Sequence, residues 1–126
     1  MIKLLLLMIL AHVIDDYFLQ GILASMKQKS WWRKQDGYKD MYKDDYQVAL
    51  LMHSMEWSIM VLLPGMFMFN LPELFLAAVF VVNTAIHYYV DDLKANKLAI
   101  NLWVDQGIHI IQIILTWHIM LNVMGL

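Results

Sequence analysis

Residues 72–94 read PELFLAAVFVVNTAIHYYVDDLK. From Leu74 to Val90 this stretch holds no lysine, arginine or carboxylate, yet it contains His87, and Asp91 follows four residues later. At 1.5 Å rise per residue, Pro72–Leu93 is long enough to cross a hydrocarbon layer about 30 Å thick. On a helix, positions four apart share one face, so His87 and Asp91 form a polar couple inside an apolar span. Ionisable groups at such depth cost roughly 2.5–3.5 kcal/mol each on insertion scales. A membrane helix that keeps them has a use for them.

The same device recurs. Three further apolar stretches, about Leu4–Met26, Gln47–Phe69 and Asn101–Val123, carry His12/Asp16, His53/Glu56 and Asp105/His109. Four of the five histidines therefore lie three or four residues from a carboxylate. Composition agrees with a membrane protein. Of 126 residues, 61% are hydrophobic, against about 45–50% for a soluble domain. Mean hydropathy is +0.56. Two prolines and five glycines leave little punctuation for a β fold, and eleven methionines fit lipid-facing helices. The fold class expected is all-α: one membrane domain over residues 1–126, a bundle of four transmembrane helices. The first span is the weakest by hydropathy because its second half is polar. Its start, Met1-Ile2-Lys3 before a leucine run, also has the look of a signal peptide. Asp15 and Asp16 interrupt it where the apolar region would pass into a cleavage site.

Lys27–Tyr46 is the one long polar segment. Lysines, Arg33 and aspartates alternate along it, Trp31 and Trp32 stand near its start, and Tyr38, Tyr42 and Tyr46 repeat every fourth residue. This pattern predicts a short helix in the headgroup zone, aromatics down and charges up. Six of the nine basic residues lie here and two, Lys94 and Lys97, in the third loop; only Lys3 lies on the other side. The second loop, around Pro64–Pro72, has none. The positive-inside rule then places loops one and three in the cytoplasm and both termini outside. The location expected is the inner (cytoplasmic) membrane, multi-pass.

Orientation aligns the couples. Spans one and three run inward with histidine before aspartate, while span four runs outward with Asp105 before His109. In all three the histidine lies deeper and the aspartate about 6 Å nearer the cytoplasm. Three pairs at one depth predict a shared centre in the cytoplasmic half of the bundle. Gln20, Asn83 and Gln112 extend the same faces and are candidates to orient the imidazoles and carboxylates. Gln106 and Asp15 point about 100° away, towards neighbouring helices. Glu56 would lie deeper than His53, against the pattern. His118 falls on the face opposite His109 and reads as packing or a subunit interface. Asp92 reads as a cap on the third helix.

No cysteine is present, so disulfides and thiolate ligands are excluded and any metal uses nitrogen and oxygen donors. The candidate ligands are His12, Asp16, His53, His87, Asp91, Asp105 and His109. They suit a divalent ion, zinc first, with Mn, Fe or Ni open. Seven donors exceed one tetrahedral shell and allow two ions, or one ion and a general base. A bound water, its pKa lowered, would attack an ester or phosphoester, with Asp16 or Asp105 moving the proton. The expected activity is hydrolysis of a lipid-linked substrate at the cytoplasmic leaflet. Lys94 stands at the cavity mouth, where it could attract an anionic headgroup or snorkel. Two other classes stay open: a metal or proton transporter, or a structural subunit in which metal staples the helices. The expected surroundings are lipid and, for self-association, a second copy. The net charge of −2 gives no reason to expect nucleic acid.

Ala11-His12-x-x-x-Asp16-Tyr17-Phe18-Leu19-Gln20, then His53, then His87-x-x-x-Asp91-x-Leu93-Lys94, then Asp105-Gln106-x-x-His109 resemble a family of small bacterial and phage-borne membrane proteins. It is called domain of unknown function 3307. The resemblance covers nearly the whole chain, one motif per span, and implies no activity. Asp15 departs from the pattern, as does the charged, aromatic-rich first loop. A fainter similarity in motif style is to membrane-bound metal-dependent hydrolases, which also place His-x-x-x-Asp in their spans.

Overall fold

The computed structural model describes residues 1–126, apart from the side chain of Asp40. Helix α1 (Ile2–Ile14) continues as a π-helical segment over Asp15–Leu19, and two single turns follow, α2 (Leu23–Met26) and α3 (Lys29–Trp32). A second π turn spans Tyr38–Tyr42; then come α4 (Asp45–Met68), α5 (Glu73–Ala95) and α6 (Leu102–Val123). No strand occurs among the described residues. Helices α4, α5 and α6 are each long and apolar enough to cross a membrane.

The first of the four expected spans is not one continuous helix. Gly21 takes φ +49°, a left-handed conformation open to glycine at no steric cost. The helical direction that began at Ile2 therefore ends near Gln20, and the chain turns back across the end of the bundle. The segment between α1 and α4 is also not the single helix its aromatic spacing predicts. Gly37, at φ +81°, separates α3 from the second π turn. The second loop is shorter than expected, because α4 runs on through Pro64 to Met68.

Helix α4 is the hub, packed against α1 on one side and α5 on the other. Its seam with α5 is built on small hydroxyl residues. Ser54 donates to the Leu50 carbonyl, Ser58 to the Ser54 carbonyl, and Thr84 to the Ser58 hydroxyl at 3.0 Å. Such residues let membrane helices approach closely while spending their hydroxyls internally. Gly65 does the same against α6: a Cβ there would lie 2.8 Å from Met120 Sδ. Helix α6 starts where Asn101 accepts the Val104 amide at 3.0 Å, an N-cap that satisfies one orphan donor.

Polarity is distributed inside out. Leu6, Leu10, Phe18, Phe67, Leu74 and Trp103 are exposed, while four histidines, three aspartates, Asn83 and Gln112 are buried. A soluble monomer rarely shows apolar surface on this scale; a bundle surrounded by lipid does. The main apolar cluster lies at one end. Leu4, Met8, Trp57, Val61, Leu62, Leu71, Ile113, Met120 and Leu121 fill the half that carries the termini and the α4–α5 loop. The other half holds the buried polar groups, with Trp32, Ala49, Leu50 and Val90 buried beside them.

At the polar end Asp92 faces out of the cluster. It accepts from Asn96 Nδ2 at 3.0 Å and pairs with Lys97 at 3.0 Å. The hydrogen bond that Lys97 donates to Asp92 raises the Lys97 ammonium above its ordinary pKa.

Candidate metal centre

Three helices bring three imidazoles around one carboxylate, Asp91. His53 comes from α4, His87 from α5 and His109 from α6, each fully buried. His87 Nε2 lies 3.2 Å from His53 Nε2, and His109 Nε2 lies 3.2 Å from Asp91 Oδ1. Asp91 also reaches His87 at 3.7 Å through Oδ1 and His53 at 3.5 Å through Oδ2. Asp16 Oδ1 approaches His53 Nε2 at 3.6 Å. A tetrahedral ion about 2.0–2.1 Å from each donor holds its ligands roughly 3.3 Å apart. The donor spacings here bracket that value. Two overlapping triads, Asp16/His53/His87 and His87/Asp91/His109, can each hold a metal ion and share His87.

Aromatic stacking fixes the rings. Trp57 stacks on His87 at 4.4 Å between centroids, and His87 stacks on His109 at 4.2 Å. Trp57 is thus the floor of the centre and the roof of the apolar core. It lies one helical turn after His53, where Glu56, three residues on, was the expected partner. Glu56 is only half-buried and makes no hydrogen bond or ion pair with the cluster among the described residues.

His12 is also buried here, but both its ring nitrogens are spoken for. Trp57 Nε1–H donates to His12 Nδ1 at 2.8 Å. An indole can only donate, so Nδ1 accepts and the proton sits on Nε2. That nitrogen faces Gln106 Oε1 at 3.1 Å. The Gln106 amide nitrogen then donates to Asp16 Oδ2 and Asp105 Oδ2, each at 3.1 Å. So His12, named above as a ligand, here orients Gln106, and Gln106 orients two carboxylates. Its sequence position alone gave Gln106 no such role.

Asp105 is only partly free. Its Oδ2 is held by Lys94 at 2.7 Å as well as by Gln106, while Oδ1 faces His109 at 3.5 Å. Asp16 keeps Oδ1 towards His53, takes Gln20 Nε2 at 3.3 Å, and lines an open cavity.

Asp15 belongs to the site after all. The π-helical segment has a wider turn than an α-helix, its register marked by the Gln20 amide bonding to the Asp15 carbonyl at 3.2 Å. That extra width turns both Asp15 and Asp16 inward, a use to which π-bulges are often put. Asp15 is fully buried and both its oxygens lack a hydrogen-bond partner. One of them lies 3.9 Å from His53 Nδ1, on the far side of that ring from Asp91. At that distance there is no hydrogen bond, but Asp15 is placed so that a small approach would let it accept Nδ1–H and leave Nε2 for an ion.

A polar cavity of about 380 Å³ opens on the cluster, lined by Asp16, Gln20, Lys27, Gln28, Asp91 and Lys94. Beyond the histidines, Asn83 hydrogen-bonds to both Gln112 and Thr116 across α5 and α6. His118 is exposed on α6, apart from all of this. No family model, curated protein or solved structure matches the chain.

Proposed function

We propose that this chain is a cytoplasmic-membrane protein that holds a divalent ion at the overlapping triads Asp16/His53/His87 and His87/Asp91/His109 and hydrolyses a lipid-linked ester or phosphoester. The observation that carries the reading is that Nε2 atoms from three helices each lie within 3.7 Å of an Asp91 oxygen, beside an open polar cavity. In this reading α1 with its π continuation is the fourth crossing, both termini lie outside, and the cavity faces the cytoplasmic leaflet. Membership of the 3307 family is part of the same reading and rests on the four motifs.

Zinc suits an imidazole-rich set with carboxylate help and no thiolate. Such an ion would polarise the scissile group and acidify water. Asp16 is placed to take the proton, because it lines the cavity while Asp105 is locked by Lys94 and Gln106. His12, Gln106 and Gln20 hold Asp16 in orientation. The apolar core closing the opposite half of the bundle favours a dead-end site over a path for transport.

The reading is tested on metal-loaded protein in mixed micelles with lipid phosphoesters and esters. Hydrolysis that falls about 10²–10⁴-fold in Asp16→Asn, with metal retained, supports it. Metal or proton flux in proteoliposomes with no hydrolysis of any lipid ester would replace it with transport.

A further inference from the structure

The centre already contains a cation of the chain's own. Lys27 Nζ lies 2.6 Å from Asp91 Oδ2, the oxygen that also faces His53 Nε2 at 3.5 Å. An ion bound through Asp91 Oδ2 would have to share that oxygen with this ammonium. Every approach that joins His53, His87 and His109 to a carboxylate on α5 runs through Asp91. Lys27 therefore competes for the one carboxylate common to all three imidazoles.

Its seat is built. Past the left-handed turn at Gly21, the chain comes back over the end of α5, where Asn96 grips it twice. Asn96 Nδ2 donates to the Lys27 carbonyl at 3.1 Å, and Asn96 Oδ1 accepts the Lys29 amide at 2.7 Å. The Lys27 side chain also borders the 380 Å³ cavity, so it has room to swing aside. Lys94 is the built-in comparison. It carries the same charge beside the same cluster, but it pairs with Asp105 Oδ2, which faces none of the three imidazoles.

We infer that Lys27 is a tethered counter-ion that occupies Asp91 while the centre is empty and must leave when a divalent ion enters. The inference rests on the metal-binding reading above. Its consequence is an exchangeable site: a cation seated nine-tenths of the time weakens apparent affinity about tenfold. The flexible ammonium is the piece that yields, and the imidazoles stay in place.

The test is a zinc titration against a chromophoric chelator, using detergent-purified full-length wild type, Lys27→Met and Lys94→Met. Lys27→Met is expected to bind zinc about tenfold or more tighter than wild type, and Lys94→Met to stay within about threefold. Equal tightening in the two variants would show general charge repulsion and overturn the inference, as would no tightening in Lys27→Met. In either case zinc binding itself, and with it the proposed function, would stand. Zinc binding by none of the three proteins would overturn both. If Lys27→Met fails to fold, Asn96→Ala replaces it, keeping the charge and releasing the seat. Tighter zinc is again expected, and unchanged affinity overturns the inference.

Discussion

Trp57 Nε1–H donates to His12 Nδ1 across 2.8 Å, joining α4 to α1 at the floor of the centre. The bond separates His12 from the other histidines of the cluster: it is a structural acceptor, while His53, His87 and His109 keep Nε2 turned to Asp91. His12→Ala should therefore retain metal but lose stability. It strands a buried indole N–H and the Gln106 carbonyl, at about 1–3 kcal/mol for each group. Metal content beside thermal unfolding in detergent checks this. Loss of metal with unchanged stability would make His12 a ligand.

Asp15 stands behind His53 with no hydrogen-bond partner of its own. Asp15→Asn keeps its shape and removes its charge, so metal affinity should fall about 10–100-fold. Chelator competition measures it. An unchanged affinity would detach Asp15 from the centre and leave its burial without a role.

Gly21 should tolerate substitution poorly. Alanine in its left-handed conformation costs about 1–2 kcal/mol, and the cost falls on the turn that carries Lys27 to Asp91. Gly21→Ala should speed hydrogen exchange over residues 20–29 while leaving α4 to α6 protected. Uniform loss of protection would mean that the turn is part of the global fold.

Gly65 faces a different limit. A Cβ would meet Met120 Sδ at 2.8 Å, and a flexible thioether can move aside. Gly65→Ala should be nearly neutral. Gly65→Val, with two more carbons in the same gap, should cost about 1–3 kcal/mol, read as a lower unfolding midpoint.

Three apolar spans and the His–Asp couples on them were legible because both follow from one periodicity. Hydrophobic length marks the helix, and a spacing of four puts His87 with Asp91 and His109 with Asp105 on inward faces. What stayed hidden depends on departures from that periodicity. The π segment turns Asp15 inward, where α-helical spacing points it elsewhere. Gly21 breaks the first span although its neighbours read as helix. Lys27 looked like one of six loop cations because its partner, Asp91, is 64 residues away. Trp57 carried a usable signal, four residues after His53, but Glu56 drew attention because carboxylates are the commoner companions of a ligating histidine.

Elemental mass spectrometry on detergent-purified protein shows whether the triads Asp16/His53/His87 and His87/Asp91/His109 hold a divalent ion. Wild type and His87→Ala are purified side by side after equal exposure to zinc, because His87 is common to both triads. Wild type is expected to hold about one equivalent of transition metal and the variant to lose it. No metal in wild type, or full retention in His87→Ala, would contradict binding at these triads.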